Sequence, residues 1–173
     1  MGTKRDGYIR ITSKNIGGLG KFAGNTKEEY FKEWIINSEI DCIGVQEHNL
    51  NLRVCTDKDR ISERMKTVAW EFFKVVSGYN KHHTGSNRHL FGGTMVLTQG
   101  QFCHRVATTG ADELGLSRWS WMHVKGVNKA SARIISAYRP CKTTSAIRNS
   151  TVYRQQLKYF SKSGYEKAIK LCS

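Results

Sequence analysis

Three polar residues stand where predicted strands end: Asn15 after a first strand, Glu47 after a second and Tyr138 at the close of a later one. A carboxamide, a carboxylate and a phenol together offer an anionic oxygen pair and several hydrogen-bond donors. Strand ends in α/β sheets are where ligand sites gather. Each residue alone has an ordinary explanation, since Asn beside Gly serves turns, Glu after a strand is solvated and Tyr before Arg-Pro packs. The histidines add little. His82-His83 and His89 have no Cys or carboxylate at ligand spacing, so their stretch reads as a basic loop facing a substrate. His48 adjoins Glu47, but strand alternation turns Gln46 away from Glu47, and adjacency does not make a dyad. Trp119 and Trp121 share one side of a strand, and the apolar area they carry reads as core and not as a base-stacking platform.

The elements that must position these residues follow from pattern. Tyr8–Ser13 is β-branched and alternating, and Asn15 with Gly17-Gly18 ends it in a turn. Thr26-Lys27-Glu28-Glu29 has capping-box spacing with Thr26 as the cap, and Tyr30, Phe31, Trp34 and Ile35 then recur at helical spacing to about Asn37-Ser38. Ile40–Val45 is an apolar run of strand length that delivers Gln46-Glu47. Strand, helix, strand points to an α/β protein. Ile61, Met65, Val68 and Phe72 keep helical spacing, Phe73–Val76 suggests a strand, and residues 77–91 form a polar, basic loop. Gly93–Thr98 is a buried-type strand. Arg118–Val124 and Ala132–Tyr138 read as successive strands around a turn at Gly126–Lys129, with Pro140 ending the second. Tyr153, Leu157 and Phe160 mark a last amphipathic helix interrupted near Gly164.

At 173 residues the chain has room for one domain, residues 1–173, with a substantial core. Lys and Arg total 28 against 14 Asp and Glu, a net charge of +14 spread along the chain. A surplus displayed this way favours polyanions, phosphate backbones first among them. The 5 cysteines include no C-x-x-C pair and are odd in number, against a disulfide framework or a structural zinc site. No secretory signal or apolar span is visible, so an intracellular protein of nucleus or cytoplasm, neither secreted nor membrane-bound, is expected.

The order of the segments adds a resemblance. Ser13-Lys14-Asn15-Ile16-Gly17-Gly18-Leu19, Asp41–Glu47, Gly92–Leu97 and Ser136-Ala137-Tyr138-Arg139-Pro140, with Thr151–Leu157 after them, follow one another as in the endonuclease/exonuclease/phosphatase superfamily. From about Tyr8 to Phe160 the chain resembles abasic-site and retrotransposon endonucleases, leaving 161–173 unassigned. The resemblance implies the N-terminal half of a four-layer α/β sandwich, a mixed sheet flanked by helices, and magnesium-dependent hydrolysis of DNA, with manganese as a substitute metal. On that reading Glu47 is the metal ligand, Asn15 holds that carboxylate or the phosphate, and Tyr138 donates its phenolic hydrogen to the phosphate. Arg118, Arg139, Arg148 and Arg154 lie in or beside these segments and are the expected contacts to nucleic acid. The retroelement branch fits best, through Tyr153-Arg154-Gln155-Gln156 and the basic balance.

The family's Gly-Asp-x-Asn and Ser-Asp-His motifs do not occur in the sequence. The expectation is therefore a truncated domain, weakly active or inactive, whose exposed sheet needs a missing C-terminal half or a partner chain to cover it. Two other functions fit the same residues: non-catalytic nucleic-acid binding, and a phosphatase of inositol phosphates or lipids. A degenerate fragment without its own function is a third reading.

Overall fold

A computed structural model describes residues 2–138 apart from 21–23, 57–59 and 67–71. The expected final helix, Pro140 and the candidate residues Arg139, Arg148 and Arg154 lie outside the described residues, as does Val68.

The described residues form a mixed α/β structure with two sheets and few helices. Strand β1 (Ile11–Asn15) pairs in parallel with β2 (Cys42–Gln46), the connection running through helix α1 (Thr26–Asn37). That is the crossover a parallel pair requires. Strand β4 (Thr94–Gln99) lies antiparallel to β2 on one side and to β3 (Phe73–Gly78) on the other, giving the order β1-β2-β4-β3. A 3-10 helix at Gly100–Arg105 leads into the second sheet, an antiparallel meander of β5 (Val106–Ala111), β6 (Trp119–Lys125) and β7 (Ser131–Ala137). The two sheets pack face to face, β7 over β2 and β4, β6 over β4 and β3, and β5 over β3.

Alternation along the central strands explains both layers. Ile43, Val45, Met95 and Leu97 face α1 and bury with Phe31, Ile35, Ile61 and Met65. The intervening Cys42 and Val96 face the second sheet and bury with Met122 and Val124. Each large apolar side chain so enclosed contributes about 1.5–3 kcal/mol. Because β2 is covered on both faces, its sequence is without polar side chains from Cys42 to Val45.

Several expectations shift. Asn25, not Thr26, caps α1: its side chain accepts from the Glu28 amide at 3.2 Å, so the cap lies one residue earlier. Glu28 turns inward, where Arg64 and Lys32 neutralise it. The helix after Arg60 is short, α2 (Ile61–Arg64), with Phe72 lying beyond it and just before β3. Strand β1 begins at Ile11 and extends to Asn15, while Tyr8–Arg10 are irregular. Strand β5 had no signal in the sequence pattern.

The tryptophans require a correction of the core assignment. In β6 the buried residues are Ser120, Met122 and Val124, so Trp119 and Trp121 project from the opposite side of the sheet. There each is half-buried beneath a guanidinium, Arg118 over Trp119 at 4.2 Å and Arg133 over Trp121 at 4.5 Å. Ser120, Met122 and Val124 occupy the inner positions.

Candidate active site at the strand ends

Parallel pairing brings the first two candidates to one edge. Asn15 is the register partner of Gln46, which places it beside Glu47 at the carboxyl ends of β1 and β2. The chain after β1 stays there: Ile16 N–H donates to Gln46 O at 3.1 Å and Leu19 N–H to His48 O at 3.0 Å. Asn15 Oδ1 accepts from Gly17 N–H at 3.0 Å, an Asx turn that fixes the carboxamide at the rim.

Glu47 has φ 58, the left-handed region that side-chain-bearing residues seldom adopt. Its amide donates to Gly93 O at 2.8 Å, which pins the turn to the start of β4. Backbone held in this region costs on the order of 1 kcal/mol or more and concentrates at functional sites. The Glu47 carboxylate is half-buried and has no hydrogen bond or ion pair among the described residues.

His48 is fully enclosed and faces inward. Its Nε2 lies 2.9 Å from Gly78 O, and its Nδ1 accepts from Leu50 N–H at 3.1 Å, so the ring is the neutral Nε2–H tautomer. Burial, aided by the positive charge of Arg64 and opposed by the Gly78 carbonyl, pushes its pKa down to about 4. It ties β3 to the turn carrying Glu47. His82 likewise meets a backbone carbonyl, Leu114 O at 2.7 Å, and no cluster of three or more potential metal-binding His, Cys, Asp or Glu residues occurs among the described residues.

The third candidate arrives from the other sheet. The Ser136 hydroxyl donates to Val45 O at 2.8 Å and accepts from Gln46 Nε2 at 3.0 Å. Gln46 Nε2 also reaches Ser13 Oγ at 3.0 Å. One amide thus ties β1 to β2 and β7, two residues before Asn15, one before Glu47 and two before Tyr138. Gly44 makes the close approach possible, because a Cβ there would stand 3.3 Å from Ser136 Cβ. Tyr138 leaves β7 with its amide donating to Arg118 O at 2.7 Å, and its ring is half-buried.

Arg118 is tied down. Its Nε donates to Asp112 Oδ2 at 3.0 Å and its NH2 group to Oδ1 at 3.4 Å, while its backbone amide reaches the same buried carboxylate at 3.1 Å. It holds the turn before β6 that receives Tyr138.

Magnesium keeps several waters and takes one or two carboxylates plus substrate phosphate. Glu47, whose carboxylate has no protein partner among the described residues, would be the ligand such an ion takes here. The bridge through Gln46 and Ser136 was not found from sequence, although the alternation that turns Gln46 away from Glu47 gave its direction.

No family model matches the chain, and no curated protein matches it. Among solved structures the chain is similar to an AP endonuclease from Archaeoglobus fulgidus, with a TM-score of 0.48 at 16% identity over 89% of this chain and 49% of that one. It spans about half the length of that endonuclease chain.

Proposed function

We propose that the rim formed by Asn15, Glu47 and Tyr138 is a magnesium-dependent phosphodiesterase site acting on DNA, of the retroelement endonuclease type. The observation that carries this reading is the convergence of three strand ends from two sheets on one edge, clamped by Gln46 and Ser136. Glu47 would hold the metal, which when bound offsets the charge developing on phosphate oxygens. Asn15 orients the carboxylate or the phosphate through its amide, and Tyr138 donates its phenolic hydrogen to a phosphate oxygen. The net charge of +14 supplies attraction for a long polyanion.

The 173 residues contain neither Gly-Asp-x-Asn nor Ser-Asp-His. A missing water-activating base and a missing transition-state donor each lower the rate by roughly a hundredfold or more. Slow turnover is therefore expected. Binding of abasic-site duplex DNA with and without magnesium tests the site: magnesium strengthens binding, Glu47→Gln removes that increment, and any slow nicking disappears in the same variant. Nicking that survives Glu47→Gln contradicts the reading. Salt-dependent binding indifferent to magnesium favours the second reading, non-catalytic nucleic-acid binding, which the charge surplus and the absent motifs support.

A further inference from the structure

Beside Asn15 lies a cavity of about 220 Å³ between the end of β1 and one stripe of α1, lined by Lys14, Lys27, Tyr30 and Phe31 among others. Leu19 and Phe31 in its lining belong to the core, but its charged and phenolic residues do not. Lys14, Lys27 and Tyr30 are exposed, Tyr30 at 67%. Helical spacing puts Lys27, Tyr30 and Trp34 on one face, and Lys14 Nζ stands 3.9 Å over the Trp34 ring. Lys27 Nζ rests on Gly17 O at 3.1 Å, which holds its ammonium at the mouth next to the Asn15 turn. Among the described residues no carboxylate pairs with Lys14 or Lys27. The volume falls below the roughly 300–1,000 Å³ of pockets that enclose a small molecule. It suits one unit of a longer strand held from one side.

We propose that this trough is a subsite for a single unpaired nucleotide of a DNA strand, flanking the phosphate at the rim: Lys14 and Lys27 take its phosphate, and Tyr30 stacks on its base. The assignment rests on reading the rim as a DNA site. Two ammonium groups and an exposed aromatic ring are the combination by which proteins track single strands without reading sequence.

The test uses the full chain in EDTA, where metal and cleavage play no part, with a fluorescein-labelled 12-nucleotide single-stranded DNA. Tyr30→Ala weakens binding about tenfold. The double variant Lys14→Gln/Lys27→Gln lowers the slope of log K against log salt by about 0.7, the value of one phosphate contact on a single strand. Removing charge elsewhere, by Lys125→Gln, lowers it by less than half as much. Affinity and slope in the trough variants matching those of Lys125→Gln overturn the subsite. So does a response confined to an RNA of the same sequence. Failure of the magnesium site leaves these metal-free values untouched, so the two readings fail separately.

Discussion

Ser136 Oγ accepts from Gln46 Nε2 at 3.0 Å and donates to Val45 O at 2.8 Å, joining the two sheets at the end where the candidate residues gather. Removing either side chain deletes this bond in a part-buried setting. Gln46→Ala and Ser136→Ala are each expected to cost about 1–2 kcal/mol in urea unfolding. Because they share one bond, the double variant should cost less than the sum by at least ~0.5 kcal/mol. Strict additivity would show that the contact is not made.

Close packing at two glycines sets the same edge. A Cβ on Gly44 would press on Ser136, and one on Gly93, at φ +91, would stand 2.3 Å from the enclosed His48 ring. Gly93→Ala therefore combines a backbone penalty with overpacking, about 2–4 kcal/mol together. Gly44→Ala, with contact at 3.3 Å and an ordinary φ, should cost less. Thermal melts of the two variants check the order, and equal losses contradict it.

Glu28 and Arg64 make a buried ion pair that joins α1 to α2, with Arg64 Nε donating to Glu28 Oε2 at 2.6 Å and Lys32 Nζ lying 3.2 Å from Glu28 Oε1. Arg64 also donates to Leu19 O at 2.9 Å, so it anchors the loop that follows Asn15. Glu28→Ala leaves a guanidinium enclosed without its carboxylate and should cost about 3–5 kcal/mol. Replacing both, as Glu28→Leu/Arg64→Met, should recover much of that loss in chemical denaturation. A double variant less stable than Glu28→Ala would show that the pair itself is the stabilising element.

His48 supplies a pH signature. Folded, it stays neutral down to about pH 4, whereas its ordinary value is 6.5. The unfolded chain therefore binds a proton that the folded chain refuses, and stability falls as pH drops from about 6.5 to about 4. Across that window the loss amounts to ~3 kcal/mol. Above pH 6.5 the residue makes no contribution to the pH dependence. His48→Gln should flatten the stability profile in this window by up to one proton, and parallel profiles for wild type and variant would contradict the assignment.

Much of the fold was legible because burial leaves local marks. The apolar run Ile40–Val45 announces a strand covered on both faces, and the Asn15 and Glu47 strand ends follow from it. The cap slipped by one residue because Asn25 and Thr26 are both good capping residues, and only the backbone chooses between them. Strand β5, Val106–Ala111, is mostly exposed and carries Thr and Gly where apolar alternation is usually read. For Trp119 and Trp121 alternation identified a shared side but not which side faces inward, and the small Ser120, with Met122 and Val124, took the inner one. The Gln46–Ser136 contact spans 90 residues, and no local pattern encodes such a pairing.

Paramagnetic broadening of backbone and side-chain NMR signals, with manganese standing in for magnesium, tests most directly whether Glu47 holds a metal. Sub-stoichiometric manganese should broaden Glu47, Gln46 and the Asn15 side-chain amide first, and Glu47→Gln should abolish the effect. Broadening centred elsewhere, or surviving unchanged in Glu47→Gln, would contradict a metal at this rim.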